Sequence, residues 1–354
     1  MIKRRDVHRL WSATLPAPTR TVRLEAPGSF APLGGISGGD LGAQAGDRIL
    51  VPAGRYSHLD LYGLHGRPDA WISFEAADLD DPPVIDARET IRNGIDIQQC
   101  SFVALFGFRI VGAVDGRNPD SSGVAVFRGS KAVRVWSCDV RNFPGGGINC
   151  FYTSATDWEG TRLPAGGWDG VDVAFNHISG CCRRSAYNTS GISFFGAEHL
   201  EGAEMPEAFG YRALHNTIED CECDVPYSIG GFDFVTDGNG ISVDCLARRN
   251  SLTPALPSYR KLGRVVGNLV QRNGGRGLHV LDSGNLEHEG NVYIGNLRTL
   301  SPAFEGAAEV EVSASVDEAD VSGVVHRNNV VIPRLGRLDI AGPGQTTHDL
   351  MAPG

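Results

Sequence analysis

Lysine is almost missing from this chain: only Lys3, Lys131 and Lys261 stand among its 32 basic residues. Arginine, alanine and glycine take its place, a usage that fits a GC-rich bacterial genome. Long apolar runs are also missing. None reaches the ~18 residues of a membrane-spanning helix, so no such span is expected. Positive charge is in deficit, 32 basic against 42 acidic residues for a net charge of −10, which argues against a nucleic-acid binder led by phosphate contacts. The start, from Met1 to Leu10, carries a basic cluster with no apolar segment behind it, so no signal peptide is read there. The expected location is secreted or periplasmic if a leader precedes this start, and cytoplasmic otherwise. The eight cysteines include Cys181-Cys182 and Cys221-x-Cys223, but none has CxxC spacing and no histidine sits at finger-like distance. They are expected to be small buried hydrophobes.

Glycine, by contrast, is plentiful: 46 of 354 residues, well above the usual share of roughly 7%. It follows no strict G-X-Y period, which excludes collagen. It recurs instead in a short pattern: a small or polar residue, Gly, an aliphatic, a variable residue, an apolar one. The copies are Asn93-Gly94-Ile95-Asp96-Ile97, Ser122-Gly123-Val124-Ala125-Val126 and Gly146-Gly147-Ile148-Asn149-Cys150. The pattern returns in Ser190-Gly191-Ile192-Ser193-Phe194, Asn239-Gly240-Ile241-Ser242-Val243 and Arg276-Gly277-Leu278-His279-Val280, with a weaker copy at Ala308-Glu309-Val310-Glu311-Val312. Between the copies runs a second motif, an apolar residue, Asn and a short apolar strand, as in Phe175-Asn176-His177-Ile178 and Val266-Gly267-Asn268-Leu269-Val270. Nothing between the strands reads as a long helix.

Repeats of this length suit a coil of three short strands whose neighbours stack in parallel at ~4.8 Å. Each coil buries its inward residues only against the next, so the pattern must repeat. Ile95, Val124, Ile148, Ile192, Ile241 and Leu278 are the expected interior ladder. The recurrent Asn is expected at a tight bend in the left-handed region, with stacked side chains bonding along the ladder. The expected fold is all-β, a right-handed parallel β-helix of roughly eight coils with an N-terminal cap. Residues 1–43 form the cap segment, 44–341 the β-helix and 342–354 a loose tail.

These motifs, with the opening Ala45-Gly46-Asp47-Arg48-Ile49-Leu50-Val51-Pro52-Ala53-Gly54-Arg55-Tyr56, resemble right-handed parallel β-helix proteins of the pectate-lyase-like superfamily. The stretch from Thr236 to Asp244, followed by Asn268 to His279, is similar to bacterial polysaccharide-active β-helix proteins with DGNGI and NGGRGIH segments. The resemblance implies a polysaccharide-binding groove. It does not carry over the lysine–calcium chemistry of the β-helix pectate lyases. Ser242 stands where their catalytic lysine would, and Thr189-Ser190-Gly191 where their paired calcium-binding aspartates would.

Spacing locates that groove. The repeated glycines are separated by 29, 24, 44, 49 and 37 residues, so extra chain concentrates in the middle coils. Loops at 151–168, 196–211 and 246–261 would form one wall and loops at 183–189 and 223–237 the other, on the outer face of the first-strand sheet. Residues flanking the buried aliphatics point outward. This gathers Asp237, Asn239, Ser242, Asp244, Arg276 and His279, with Asn149 on the floor, Phe151 and Phe195 as outward aromatics, and Trp168 and Tyr259 in the wall. Aromatic platforms beside polar groups suit a sugar chain.

His279 is the expected proton-transfer group and Arg276 the charge neutraliser for β-elimination, with Asp244 set against the His279 ring and Asp237 sharing Arg276. Asp237 and Asp244 are alternatively the acid and base of a glycoside hydrolase, or ligands of a divalent cation such as calcium. A third alternative is a non-catalytic glycan-binding or structural β-helix, as in a spike or adhesin.

Overall fold

The computed structural model describes residues 4–25, 35–153, 165–202, 205, 210–246, 258–299, 307–314, 322–332, 340–341 and 346–351. The chain winds as a right-handed parallel β-helix. Every named strand pair is parallel and each coil contributes three short strands. The glycine motifs build one face of ten strands, from Ile36–Ser37 through Ile241–Asp244 and Leu278–Leu281 to Ile340–Ala341. The other nineteen strands fold over a sharp bend into two further faces. One holds strands such as Ser130–Trp136 and Trp168–Ala174, the other shorter ones such as His177–Ser179 and Leu269–Gln271.

The expected aliphatic ladder is present. Ile95, Val124, Ile148, Ile192, Ile241 and Leu278 pair in register and are fully buried. The glycine ahead of each is there for room. A Cβ on Gly147, Gly191 or Gly240 would lie 2.4, 2.4 or 2.1 Å from Ile178, Ile218 or Val270 on the facing strand. A larger residue would push apart the two faces that meet at that corner.

At the opposite bend the asparagines stack. Asn176, Asn216, Asn268, Asn291 and Asn329 are buried, and each side-chain amide donates to the Oδ1 of the next at 2.8–3.0 Å. The same Oδ1 atoms accept the preceding ladder residue's backbone N–H at 2.9 Å. The left-handed residue is the one before each ladder Asn, not the Asn itself: Phe175, His215, Gly267, Gly290 and Asn328 have φ of 52–67°. The ladder Asn is needed for its amide, which carries a donor and an acceptor on one short stem.

The ends differ from a simple cap and a loose tail. Helix Arg4–Thr14 lies along the side of the solenoid, where Trp11 packs on Phe106 and Trp136 and Thr14 O accepts from buried Arg134 Nη1 at 2.7 Å. Outward Ala104, Ala132 and Ala174 leave room for it. Arg20–Arg23 and Ile36–Ser37 join the sheets as strands. Within the segment expected to be a loose tail, Thr346–Met351 pairs with Val324–Ile332, because an open solenoid edge offers unpaired backbone groups to any following strand. All eight cysteines are buried and unbridged, as small interior hydrophobes should be.

Asn268 sits mid-ladder, so Asn268→Ala strips an acceptor from Asn216 and a donor from Asn291. Unsatisfied buried groups cost ~1–3 kcal/mol each, and the variant should lose that much or more in urea unfolding. A neutral result would show the ladder to be dispensable.

His177 lies 3.3 Å from Asp139 and 2.9 Å from Glu219, and its pKa is raised, chiefly by the Asp139 hydrogen bond, with burial opposing. A raised folded pKa gives stability that is complete below the ordinary value of ~6.5 and lost as pH rises through the folded value. The stability difference between wild type and His177→Gln should therefore be larger at about pH 5.5 than at about pH 9. Equal differences at both would remove the charge contribution.

Candidate functional site

The glycine-motif face carries an outward column that continues in register as Asp60, Asp96, Ala125, Asn149, Ser193, Ser242, His279 and Glu311. Near its C-terminal end the expected residues converge. His279 Nδ1 lies 3.5 Å from Asp237 Oδ1, and its Nε2 is 3.2 Å from Ser313 Oγ. Asp237 also accepts from Asn239 Nδ2 and Thr236 Oγ1, both at 2.6 Å. Burial works against its charge, but the His279 and Thr236 hydrogen bonds and the His279 and Arg276 charges outweigh it. They hold Asp237 below the usual carboxylate range.

Two loops secure this arrangement. Buried Asn188 donates to Ser185 O at 3.2 Å and Val225 O at 3.0 Å, while its Oδ1 accepts from Thr236 N at 2.8 Å. This stitches the loop at 183–189 to the one at 223–237, the two expected to bound the groove. Of the opposite loops, 154–164, 203–204, 206–209 and 247–257, with Trp158, lie outside the described residues.

Several expected roles change. The carboxylate meeting His279 is Asp237, because the turn before Ile241–Asp244 carries it back over the next coil. Asp244 is the register partner of Leu281, and no ion pair joins it to His279 among the described residues. It accepts from Cys245 Sγ at 2.7 Å. Burial, reinforced by the charges of Asp237 and Asp282, pushes its pKa up to about 7.

Arg276 is only 2% exposed. It bonds Glu311 through Nε at 2.5 Å and Nη2 at 3.2 Å, and Thr236 O at 3.2 Å. Its charge is spent on Glu311 rather than offered to a ligand. Asn239 is fully buried and works from beneath: Nδ2 holds Asp237 and Oδ1 accepts Arg276 N at 2.8 Å. Asn149 is likewise buried and donates to Ser122 Oγ at 2.8 Å. Ser242 stays on the floor beside His279.

Trp168 and Tyr259 are core residues, at 0% and 5% exposure, not wall platforms. Trp168 Nε1 donates to Phe195 O at 2.9 Å, and the Tyr259 hydroxyl to Asp169 Oδ1 at 2.6 Å. Both are drawn inward because a buried carboxylate and carbonyl satisfy their polar ends. Phe151 stays half-buried on the outer face, stacked on Phe127 with centroids 5.0 Å apart, and Phe195 stands half-buried in register with Asp244.

The open aromatics come from the second loop set. Tyr187 is 49% and Phe232 46% exposed, and Phe232 stacks on Tyr227 at 5.8 Å and meets Phe234 at 5.1 Å. Tyr227 sits close enough to Asp244 and Asp237 that both, after burial, raise its pKa and keep the phenol protonated. The residues missed from sequence, Tyr227, Phe232, Glu311 and Ser313, had one signal: both strand residues occupy outward positions of the weak Ala308–Val312 copy or just beyond it.

No cluster of three or more His, Cys, Asp or Glu side chains suited to a metal forms among the described residues. Asp237, one of the two expected ligands, already has both oxygens bonded.

No family model and no curated protein matches the chain. Solved structures do match. Pectate lyase Pel9A aligns with a TM-score of 0.50 at 12% identity, over 95% of this chain and 80% of its own. An alginate lyase from Paenibacillus sp. str. FPU-7 aligns at 0.43 and 14% identity, over 94% of this chain and 100% of its own. The mannuronan C-5 epimerase AlgE4 A-module of Azotobacter vinelandii aligns at 0.37 and 11% identity, over 85% of this chain and 91% of its own. At these identities the likeness is one of fold: the protein is a parallel β-helix.

Trp168 is packed against Phe194, Tyr211 and Tyr259. Trp168→Ala should therefore cost ~3–5 kcal/mol of stability in chemical unfolding. If it instead weakens saccharide binding at unchanged stability, Trp168 belongs to the groove after all.

Proposed function

We propose that the protein binds an acidic polysaccharide along the glycine-motif face and cleaves it by β-elimination, with His279 as the base. The observation that carries this reading is the His279–Asp237 pair, held on the outward floor with Tyr227 close to Asp237 and the exposed Phe232 stacked on Tyr227. An ionised carboxylate with three donors around it is a weak base but a good partner for an imidazole. Asp237 is therefore the positioning residue and His279 removes the C5 proton of a uronate. The fold shared with pectate lyase Pel9A supports a polysaccharide as the ligand without supplying the chemistry.

With Arg276 committed to Glu311, the substrate carboxylate needs another partner. Asp244 fills that role in its protonated form, which prevails below its pKa of about 7. As a neutral acid it donates a hydrogen bond to the carboxylate as enolate character develops. Tyr227, kept protonated by burial and the nearby carboxylates, returns a proton to the departing glycosidic oxygen.

A second reading rests on the opposed shifts of Asp244 and Asp237, one raised and one lowered, the pattern of an acid and a base in glycoside hydrolysis.

The test is digestion of a panel of uronate polymers with ultraviolet scanning near ~235 nm, where an unsaturated product absorbs. Elimination predicts a loss of ~10²–10⁴-fold in His279→Ala. It also predicts activity falling as pH rises through about 7, where Asp244 ionises. Asp244→Asn, which keeps a donor at all pH values, should lose little activity and abolish that alkaline fall. New reducing ends without absorbance, and a larger loss in Asp244→Asn than in His279→Ala, would transfer the assignment to hydrolysis. No product from any polymer that binds would leave a glycan-binding β-helix.

A further inference from the structure

We propose that Ser313, His279 and Asp237 form a nucleophilic triad that hydrolyses short acyl esters carried on the bound saccharide. The chemistry lies beyond the elimination reading. It shares His279 with that reading but rests on Ser313, which elimination does not use.

Three successive coils supply one member each. Asp237 comes from the turn before Ile241–Asp244, His279 from Leu278–Leu281, and Ser313 from the end of Val310–Ser313. The strands pair in parallel register, with Ser242 opposite His279, His279 opposite Glu311 and Leu281 opposite Ser313. This spacing sets the imidazole between carboxylate and hydroxyl, Nδ1 at 3.5 Å from Asp237 Oδ1 and Nε2 at 3.2 Å from Ser313 Oγ. A carboxylate at Nδ1 selects the tautomer that leaves the Nε2 lone pair facing the hydroxyl. Asn239 and Thr236 fix the carboxylate in turn, at 2.6 Å each. Arg276, the neighbouring cation, is turned to Glu311. Ser313 is half-buried on the outer face. Its register neighbour Leu281 offers an apolar contact for a short acyl group, and Ser242 beside His279 leaves room on the floor.

The reaction needs only ester and water. Ser313 Oγ attacks the ester carbonyl carbon as His279 Nε2 takes the hydroxyl proton. The bond from the carbonyl to the sugar oxygen breaks as Nε2 gives that proton to the leaving sugar hydroxyl. Water then attacks the acyl-serine through the same histidine, releasing the carboxylic acid and restoring Ser313.

The experiment treats the full chain with diisopropyl fluorophosphate and maps the adduct by peptide mass spectrometry. In parallel, it follows p-nitrophenyl acetate hydrolysis and acetate release from acetylated polysaccharides. The expected result is an adduct on Ser313, with hydrolysis lowered ~10³–10⁴-fold in Ser313→Ala and His279→Ala. Asp237→Asn, as a positioning variant, should lower kcat with KM held, and Ser313→Cys should become sensitive to iodoacetamide in a manner that follows the state of His279. An unlabelled Ser313 in folded wild-type protein overturns the proposal, as does a Ser313→Ala variant of native circular dichroism that hydrolyses at the wild-type rate. Labelling and acetate release are read without elimination. Ser313 labelled with no absorbance near ~235 nm removes the elimination reading alone, and absorbance with Ser313 unlabelled removes this one alone.

Discussion

The buried asparagine ladder is the interaction on which the molecule depends. A solenoid turns its backbone sharply in every coil, and at the bend between its second and third faces the peptide groups are sealed from water. Each ladder Asn accepts a neighbour's backbone N–H, and its amide bonds the next Oδ1 and a carbonyl such as Val173 O or Ala213 O. The bonds close only when the coils are in register, because a slip of one residue would move an apolar side chain into the ladder and an amide into the core. The glycine column works at the other corner, where it lets Ile178, Ile218 and Val270 approach the outward-facing strands.

Register then determines chemistry. Asp237, His279 and Ser313 lie far apart in sequence, and only the stacking of three coils brings them within hydrogen-bond reach. Small rigid strands hold the floor, while the aromatic side comes from a loop pinned by Asn188. Under the proposed function the division would suit a polymer ligand, with His279 and Asp237 fixed on the floor and Tyr187 and Phe232 exposed at the rim.

The electrostatics follow from where the charges are sheltered. Asp237 and Asp244 lie close enough to interact yet shift in opposite directions, because one is surrounded by donors and the other meets burial and two like charges. Arg276 illustrates the same rule in reverse. It has the charge for a uronate carboxylate, but Glu311 sits one coil on and takes it.

The sequence by itself determined the solenoid, its inner aliphatic ladder and the buried cysteines. Each of these is a periodic property, and a period is visible in one dimension. It also brought Asp237, Asn239, Ser242, Arg276 and His279 together correctly, since offsets from a repeated glycine become neighbours across a strand spacing. Only the tertiary structure decided which of the candidate residues are buried on partners within the protein. Trp168, Tyr259, Asn239 and Arg276 looked available in sequence, but each meets a partner supplied by another coil: Phe195 O, Asp169, Arg276 N and Glu311. Conversely, Tyr187 and Phe232 owe their exposure to the paths of irregular loops, which have no period to read. A side chain's orientation is settled by the partner that satisfies its polar atoms, and that partner is known only once the coils are stacked.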